Sequence, residues 1–442
     1  MWGNGYKQYY DYDLTGRNFK YELTNSSDVS LLGKDYYFDL NSNITTINDI
    51  INSTLNRTVN YDNIDRITSS VSNSITQSFT YDLNSNRLSK NDNGTNVTYT
   101  ISSTNNRLNS VGGTSYTYDN AGNPTAIGST TFGYNLANRL VSVNSGNLAN
   151  YYHNALGQRV RKLVSSNNTY FMYSEDGKLL GEYDNSGNLI REYIYLGDKI
   201  VAVVKGTTGN ELYYVIPDHL NTPRKVINSS NGNIIWSWES KPFGDDLPNE
   251  DVDNDSNLFT MPIRFPGQYY DSEVGYNYNY FRTYNSDTGR YLQSDPIGLE
   301  GGLNTYGYVS GKPLSKIDPL GLMEIFNDGS GVDSNEKYWP RPKPDLRPDG
   351  QPWGYGCGDK NTDKFVPDGL NGTSFSKPCR QHDLCYEKCP NKNQCDYDLG
   401  KNILNECIKS GNFNMSCILA GPIYWVAVHV AGGDAYNAAR KK

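Results

Sequence analysis

The feature that most constrains the fold of this chain is a tyrosine-led phrase that recurs at intervals of 16–21 residues. The phrase Tyr-Asp-Leu-Asn-Ser-Asn-Arg-Leu begins at Tyr81, and similar phrases begin at Tyr118, Tyr134 and Tyr183. Alternating Tyr, Thr and Val suit a pleated surface, and the Asn-Gly, Gly-Asn and Ser-Gly pairs supply the positive φ of tight turns. Because a single hairpin cannot bury a face, the units must stack. The sequence therefore predicts a mostly-β antiparallel hairpin array with little helix before residue 322. The spaced tyrosines are Tyr61, Tyr81, Tyr99, Tyr118, Tyr134, Tyr152 and Tyr173.

The composition of the chain changes at residue 322. Residues 1–322 hold 33 acidic and 25 basic residues and no cysteine, whereas residues 323–442 hold 15 of each charge and all seven cysteines. Two parts this different predict separate domains. An acidic or neutral protein lacks the broad basic field that nucleic acid requires, so nucleic acid is not expected as a partner.

Further boundaries follow from local composition. A proline-dense stretch after Trp339 indicates an extended linker. We expect a repeat region at 1–261, a distinct core at 262–322, a linker at 323–352 and a last domain at 353–442. No signal peptide is visible at Met1, and the most apolar stretch, about thirteen residues at 418–430, is too short for a membrane span and indicates a buried helix.

The clustered cysteines predict a disulfide framework and an oxidising destination for the last domain. A zinc site is the alternative for such a cluster. Cys385 and Cys389 are separated by three residues, and a second pair at finger spacing is missing. An odd count leaves one thiol unpaired or paired between chains.

The phrases of the first 322 residues resemble the YD repeats of bacterial Rhs and teneurin-like proteins. The resemblance is strongest over 262–322, where the motifs follow one another as in the Rhs-associated core. They are Phe-Pro-Gly-Gln-Tyr-Tyr-Asp at 265–271, Tyr-Phe-Arg-Thr-Tyr at 280–284, Thr-Gly-Arg-Tyr at 288–291, Asp-Pro-Ile-Gly-Leu at 295–299, Asn-Thr-Tyr-Gly-Tyr at 304–308 and Asp-Pro-Leu-Gly-Leu at 318–322. The resemblance implies that this chain is the C-terminal part of a polymorphic toxin.

The two Asp-Pro-x-Gly motifs begin at Asp295 and Asp318. Taken by themselves they predict two turns, since Pro fixes φ, Gly allows positive φ and Asp caps the turn. The Rhs resemblance implies an aspartyl autoprotease in which the two carboxylates divide acid and base roles over one peptide bond. It places the cut between Leu322 and Met323 with Arg282 assisting, and Arg290 is the alternative arginine.

A second set of chemistry-bearing residues lies in the run Cys-Arg-Gln-His-Asp-Leu-Cys-Tyr at 379–386. On a helix, His382 and Asp383 point about 100° apart, so the imidazole can face a substrate while the carboxylate faces a metal. Calcium prefers oxygen ligands, and the loop around Gly356 and Gly358 could turn backbone carbonyls inward. The alternative is a disulfide-stapled helix with an incidental His-Asp pair.

Residues 350–440 resemble secreted phospholipase A2, most closely its compact bacterial and fungal branch. The resemblance implies that His382 is the general base and that Asp396 accepts the other imidazole N–H. It implies Ca²⁺ held by Asp383 and the carbonyls of Gly356 and Gly358, with Tyr386 bonded to Asp396.

The same resemblance implies a disulfide between Cys357 and Cys379. The calcium loop departs from the animal enzymes, which have a fuller glycine run, and the span between these two cysteines is long. Asp359, Asp363 and Asp368 are alternative calcium ligands, although loop carboxylates of this kind are ordinarily solvated. His153, His219 and His429 are expected to be structural.

Together these features predict a secreted toxin whose all-α, disulfide-rich last domain hydrolyses the sn-2 ester of membrane glycerophospholipids with calcium. An immunity protein and an intramolecular contact between shell and toxin are the expected partners. The rival hypothesis is a cell-surface adhesion or carbohydrate-binding protein with a non-catalytic lipid-binding tail. A third possibility is hydrolysis of some other ester or amide at the same site.

Overall fold

The computed structural model describes residues 5–206 and 210–326, together with the short strands Gly369–Leu370 and Thr373–Ser374. The chain divides into two compact units. The first is Met1–Met172 with Leu180–Lys337, and the second is Tyr173–Leu179 with Tyr338–Lys442. All strands up to residue 326 belong to the first unit, except for the end of one strand at Tyr173 and the start of the next at Leu179.

The first 237 residues supply 23 strands that form one sheet. The strands are β1 Lys7–Tyr12, β2 Asn18–Thr24, β3 Ser30–Phe38, β4 Ile44–Asp49, β5 Arg57–Tyr61, β6 Ile67–Val71, β7 Thr76–Tyr81, β8 Arg87–Asp92, β9 Thr95–Ile101, β10 Leu108–Val111, β11 Thr114–Tyr118, β12 Pro124–Ile127, β13 Thr130–Tyr134, β14 Leu140–Val143, β15 Ala149–His153, β16 Arg159–Val164, β17 Asn167–Tyr173, β18 Leu179–Tyr183, β19 Leu189–Leu196, β20 Lys199–Lys205, β21 Glu211–Pro217, β22 Pro223–Asn228 and β23 Ile234–Ser237.

Eight shorter strands and four 3₁₀ turns follow or interrupt this sheet. The strands are β24 Tyr269–Asp271, β25 Tyr276–Asn279, β26 Arg282–Asn285, β27 Arg290–Tyr291, β28 Lys316–Ile317, β29 Ile325–Phe326, β30 Gly369–Leu370 and β31 Thr373–Ser374. The 3₁₀ turns are Ser53–Leu55, Asn144–Gly146, Gly298–Gly301 and Val309–Gly311. The described residues contain no α-helix, which confirms the expectation of a β architecture before residue 322.

Strands that follow one another in sequence pair antiparallel from β1 to β17 and again from β18 to β23. The register shifts by one residue where a strand ends at the repeated tyrosine, as at Thr80/Tyr81 and Glu182/Tyr183. Such bulges increase the local twist of a hairpin. The hairpin array is therefore a meander in which the strands that end at a repeated tyrosine carry a bulge.

The repeated phrase folds into the turn of each hairpin. In the turn that begins at Asp13, the Asp13 carboxylate accepts the N–H groups of Thr15 and Arg17 at 2.8 and 3.0 Å. The fourth residue of the turn adopts positive φ, +85° at Gly16 and +78° at Gly187. Gly takes this conformation without strain, and Asn or Asp takes it with little. The predicted positive-φ turns are thus present where the Gly-containing phrases place them.

Neighbouring turns are joined to each other by side chains. Arg66 pairs with Asp62 at 2.7 Å within its own turn. Its Nη1 donates to the carbonyl of Asp82 at 2.8 Å and to Ser85 Oγ at 3.2 Å in the turn that follows Tyr81. The guanidinium also lies 4.7 Å from the centre of the Tyr81 ring. Asp62, Arg66 and Tyr81 therefore couple one repeat to the next.

One face of the first nine strands packs on the segment that follows β23. Buried and exposed positions alternate along β7, so Gln77 and Phe79 point inward. The Phe79 ring meets that of Phe243 edge-on at 5.2 Å. A large apolar cluster results, and its buried members are Tyr21, Leu23, Leu32, Tyr36, Ile44, Val59, Ile67, Phe79, Ile216, Ile227, Phe243 and Leu314. Residues after 237 therefore contribute to the same hydrophobic core as the repeat strands.

Candidate functional site

The four-stranded sheet β24–β27 and the strand β28 bring polar residues of the last motifs to one place. Arg282 opens β26, Tyr291 ends β27, and Asp295 follows four residues later. Asp318 follows β28 directly. Arg282, Asp295 and Asp318 are all buried, although charged side chains seldom are unless they are paired.

Arg282 contacts both carboxylates with the same nitrogen. Its Nη2 lies 2.9 Å from Asp295 Oδ2 and 3.2 Å from Asp318 Oδ2. The two carboxyl groups therefore face one another across one guanidinium. Arg282 Nε donates to the carbonyl of Gly321, and Nη1 donates to that of Thr305 at 3.2 Å. The structure thus brings together Arg282, Asp295 and Asp318, the three side chains singled out from the sequence.

The bond between Leu322 and Met323 lies against Asp318. Asp318 Oδ1 accepts the N–H of Leu322 at 2.9 Å and that of Met323 at 3.2 Å. The preceding residues are also held, because Phe281 N–H donates to the carbonyl of Leu320 at 3.0 Å. The peptide nitrogen of the Leu322–Met323 bond is consequently fixed within hydrogen-bonding distance of a buried carboxylate.

Asp295 lies on the carbonyl side of the same bond. A Cβ placed on Gly301 would overlap the Asp295 carboxylate and lie 2.7 Å from the carbonyl oxygen of Leu322. The two groups therefore crowd the same point beside the 3₁₀ turn Gly298–Gly301. Asp318 thus accepts from the nitrogen of the peptide bond, and Asp295 Oδ2 lies near its carbonyl oxygen.

The pKa values of both carboxyl groups are raised. Burial raises the pKa of Asp295 to about 7, against the opposing effect of Arg282. Burial also raises the pKa of Asp318, opposed by Arg282, by the Tyr291 hydroxyl and by the N–H groups of Leu322 and Met323. Two carboxyl groups around one guanidinium favour a state with a single negative charge. Near neutral pH, one of the pair can carry a proton while the other is ionised.

Arg290, the alternative arginine, points elsewhere. Its Nη1 lies 3.3 Å from Asn86 Oδ1, its Nη2 donates to the carbonyl of Asn106, and its guanidinium stacks on Tyr306. Arg290 therefore anchors the core to the repeat turns, and Arg282 is the arginine of the carboxylate pair.

Two polar residues of the site were not predicted from the sequence. The Tyr291 hydroxyl donates to Asp318 Oδ2 at 2.8 Å, and Asn279 Nδ2 donates to the Tyr291 hydroxyl at 2.7 Å. Tyr291 does stand in one of the quoted motifs, Thr-Gly-Arg-Tyr at 288–291, but Asn279 precedes Tyr-Phe-Arg-Thr-Tyr without being part of it. Neither residue type signals this role in a chain that holds 37 tyrosines.

The residues after Met323 return to the core. β29, Ile325–Phe326, pairs antiparallel with β28, Lys316–Ile317. Lys316 also forms an ion pair with Glu324. The Leu322–Met323 bond therefore lies in the loop of a small hairpin, which holds it from both sides.

The two histidines of the repeat region, His153 and His219, are half-buried. His219 shares hydrogen bonds with the Tyr36 hydroxyl at 3.0 Å and the Leu314 carbonyl at 2.9 Å. Burial, followed by the charges of Arg159 and Arg139, lowers the pKa of His153 to about 3. His153 is therefore neutral at physiological pH.

The residues of the predicted phospholipase site lie outside the described residues. They are His382, Asp396, Asp383, Gly356, Gly358, Tyr386, Cys357 and Cys379. Within the matching phrases, β30 and β31 form a two-stranded pair of Gly369–Leu370 with Thr373–Ser374. The roles assigned to these residues and to calcium stay predictions.

Comparison with protein families identifies the first two thirds of the chain. Residues 6–302 match the teneurin YD-shell family. The chain belongs to this family. The match covers the large sheet and includes Arg282 and Asp295 but ends before Asp318, and it agrees with the YD-repeat resemblance of the sequence.

Relatives share segments of the chain. The protein YlbH of Escherichia coli is 47% identical over 97 residues, which cover 22% of this chain and 39% of that protein. The double-stranded DNA deaminase toxin A of Burkholderia cenocepacia is 35% identical over 112 residues, which cover 25% of this chain and 8% of the toxin. The chain thus spans less than half of the length of either relative.

A solved structure shows the same fold. The chain aligns with a component of the Photorhabdus luminescens Tc holotoxin pore with a TM-score of 0.61 and 20% identity, covering 73% of this chain and 18% of the other. Within residues 5–326, apart from the gap at 207–209, no helix is long and apolar enough to span a membrane.

Proposed function

We propose that the core of this YD shell cleaves its own chain between Leu322 and Met323. The observation that carries this proposal is the position of that bond, with its nitrogen against Asp318 and its carbonyl oxygen beside Asp295. Arg282 links the two carboxyl groups. Because the bond is already held in the site, the reaction needs no substrate binding, and its high effective concentration favours hydrolysis.

The division of roles follows from which atom each carboxyl group faces. Asp318, in its ionised form, takes a proton from water as the water oxygen bonds to the Leu322 carbonyl carbon. Asp295, protonated, donates to the carbonyl oxygen. When the intermediate collapses, the bond to the Met323 nitrogen breaks and Asp318 passes its proton to that nitrogen. Asp295 regains its proton from the former carbonyl oxygen. One water is consumed, leaving a carboxyl group on Leu322 and an amino group on Met323.

Self-cleavage is tested with the full chain and a matched control. The wild-type chain should yield two fragments, the smaller beginning at Met323 by N-terminal sequencing, whereas Asp318→Asn and Asp295→Asn should remain one band. Asp246→Asn is the control, because Asp246 is a half-buried carboxyl whose pKa desolvation also raises, to about 6, but it lies outside the site. A single band from the wild type, or unchanged cleavage in Asp318→Asn, would reject the proposal.

We further propose that the released residues are a toxin with calcium-dependent phospholipase A2 activity. The run Cys-x-x-His-Asp-x-Cys-Tyr at 379–386 supports this proposal. His382 would take a proton from water, while Asp396 accepts the other imidazole N–H and fixes the tautomer. Asp383 and the carbonyls of Gly356 and Gly358 form an oxygen donor set of the kind calcium prefers. When bound, calcium would polarise the ester carbonyl of the lipid.

A toxin role is also supported by the relatives. One matched protein is named a deaminase toxin, and the aligned solved structure is of a holotoxin pore. In this proposal the shell and the toxin are in contact within one chain, the product is delivered outside the producing cell, and a cognate immunity protein protects that cell. The adhesion hypothesis predicts lipid or glycan binding without ester hydrolysis.

The lipase proposal is tested by fatty-acid release from phospholipid vesicles. Activity should require calcium, disappear with chelator and disappear in His382→Ala. His429→Ala is the matched control, being the other histidine of the tail. Small esters, DNA and RNA form separate arms, because one relative acts on DNA by its name. Activity independent of calcium and His382, or activity on nucleic acid alone, would reject a phospholipase.

A further inference from the structure

Tyr291 contacts two of the three residues that the proposed self-cleavage uses. It is 1% exposed. Its hydroxyl donates to Asp318 Oδ2 at 2.8 Å, and the Arg282 guanidinium carbon lies 3.6 Å from the centre of its ring. A guanidinium stacked on an aromatic face at this distance is held by the ring's electron density. One side chain thus contacts both the carboxylate and the arginine that pairs with it.

Asn279 determines the direction of the Tyr291 hydroxyl proton. Asn279 is fully buried, and its Nδ2 donates to the Tyr291 hydroxyl at 2.7 Å and to the main-chain carbonyl of Asp318 at 2.9 Å. A phenol has a single proton. Because the hydroxyl oxygen already accepts from Asn279, its proton is directed toward Asp318. Asn279 also fixes the backbone of Asp318 itself.

The Asp318 carboxylate therefore has a different set of donors on each oxygen. Oδ1 accepts from the N–H groups of Leu322 and Met323, and Oδ2 accepts from Tyr291 and Arg282. The rotation of a carboxylate about its last torsion is otherwise soft. With Oδ2 held, Oδ1 stays against the nitrogen of the Leu322–Met323 bond.

We propose that Tyr291, oriented by Asn279, is a positioning residue for self-cleavage that holds the Asp318 carboxylate against the scissile nitrogen. This inference rests on the proposed self-cleavage function. Tyr291 does not touch the reacting atoms, so it acts through Asp318. Its hydroxyl keeps its proton, because burial raises its pKa well above the usual value.

The hydrogen bond from Tyr291 to Asp318 should also affect how the cleavage rate depends on pH. The groups that face Asp318 are Arg282 from β26, Tyr291 from β27, Tyr308, and Asp295 from the loop after β27. The Tyr291 hydrogen bond stabilises the ionised form of Asp318 and so lowers its pKa against the effect of burial. Removing that hydroxyl should raise the pKa of Asp318. Since the base must be ionised, the acid limb of the cleavage profile should move to higher pH.

A structural role is the competing explanation, because Tyr291 also belongs to an aromatic cluster. Its ring centre lies 5.9 Å from that of Tyr284 and 5.8 Å from that of Tyr308. Tyr284 supplies a matched control. It is equally buried, and its hydroxyl donates to the Phe243 carbonyl at 2.8 Å rather than to Asp318.

The test compares Tyr291→Phe and Tyr284→Phe in the full chain. Each chain is made by a short pulse of cell-free synthesis, diluted into buffers across a pH series and followed by gel electrophoresis. At neutral pH, Tyr291→Phe should cleave more slowly than the wild type by about tenfold or more. A tenfold change in rate is equivalent in free energy to a shift of about one pKa unit. The acid limb of the pH–rate profile of this variant should move to higher pH, and raising the pH should restore part of the cleavage rate. Tyr284→Phe should match the wild type.

Asn279→Ala tests the relay independently of the tyrosine, and should slow cleavage with a shift of the profile in the same direction. Wild-type rate and profile in Tyr291→Phe would overturn the inference. Equal slowing in both phenylalanine variants, with lowered melting temperatures and no pH shift, would also overturn it. Asp318→Asn separates the two proposals. If that variant is inert while Tyr291→Phe is unaffected, only the positioning role fails, and if it cleaves normally, self-cleavage itself fails.

Discussion

Asp295 and Asp318 stand in nearly identical motifs, but their surroundings differ. Asp318 Oδ1 receives two backbone N–H groups, which favour its ionised form. Asp295 receives one backbone N–H, from Ile297 at 3.0 Å. The negative charge of nearby Glu300 adds to the rise in the pKa of Asp295 that burial causes. At the residue scale, the asymmetry between acid and base therefore comes from the donors around each carboxylate.

The space beside Gly301 leads to a steric prediction. Gly301 lacks positive φ, so its backbone accepts alanine, but the added methyl group would overlap the Asp295 carboxylate and press on the Leu322 carbonyl. Gly301→Ala should slow self-cleavage by about tenfold or more, because displacement of about 1 Å is enough for such losses. Leu303→Ala, in the same loop and 85% exposed, should leave the rate unchanged. Quantitative gel electrophoresis of fragment formation measures the cleavage rate of both variants. Normal cleavage of Gly301→Ala would contradict the proposed position of Asp295 beside the Leu322 carbonyl.

The raised pKa of Asp295 predicts the alkaline limb of the reaction. Its carboxyl group has a pKa of about 7 and acts in its protonated form, so the acid is present below that pH and lost above it. Self-cleavage should decline above about pH 7, by about tenfold per pH unit once Asp295 is ionised. Pulse-synthesised chains diluted into buffers from pH 5 to 9 provide the measurement. A rate that continues to rise through pH 9 would show that Asp295 is not the acid.

At the element scale, the repeated phrase serves both the turn and its neighbour. Asp62 caps its own turn by accepting the N–H of Arg66, and the Arg66 guanidinium reaches the carbonyl of Asp82 in the next turn. The exposed leucine of the same phrase, 101% exposed at Leu83, contributes no packing. The repeated hairpins are thus stabilised by polar contacts between turns as well as by the alternating core positions of the strands.

Replacement of Arg66 should therefore weaken the array. Arg66→Ala removes an ion pair, two hydrogen bonds to the next turn and a stacking contact. We expect a loss of about 1–3 kcal/mol in the free energy of unfolding. Denaturant unfolding followed by far-UV circular dichroism, in the Asp318→Asn background to avoid cleavage, gives the value. Leu83→Ala should stay within about 0.5 kcal/mol of its parent, and an equal effect of both variants would refute the role of the turn contacts.

At the scale of the whole molecule, two chemistries are separated along the chain. The shell has no cysteine up to residue 322, and it contains ion pairs such as those of Lys162 with Asp271 and Glu273, both at 3.1 Å. All seven cysteines follow the proposed cut. The shell is thus independent of redox conditions, while the predicted toxin depends on them.

Reducing agent should consequently separate the two parts. Dithiothreitol should leave the thermal unfolding of the β signal unchanged, because no disulfide can form within residues 1–322. It should abolish the predicted lipase activity, since loss of native disulfides costs small domains about 2–5 kcal/mol. Circular dichroism melts and vesicle assays on the same samples provide both readouts. A lower melting temperature of the β signal under reduction would contradict this division.

Local sequence chemistry was sufficient to predict the hairpins, their tight turns and the position of the two Asp-Pro-x-Gly motifs. These depend on local chemistry, namely alternation along a strand, positive φ at residues such as Gly187 and capping by residues such as Asp13. The phospholipase assignment also comes from the sequence, through the motif around His382.

Which groups surround the Leu322–Met323 bond became known from the folded chain. It placed Arg282 rather than Arg290 between the carboxylates, and it brought Tyr291 and Asn279 to Asp318. Arg282 and Asp318 are 36 positions apart in the chain, and Arg290 is bonded to Asn106, 184 positions away. Such contacts arise from long-range packing of the core against the repeats, which the spacing of residues along the chain does not encode.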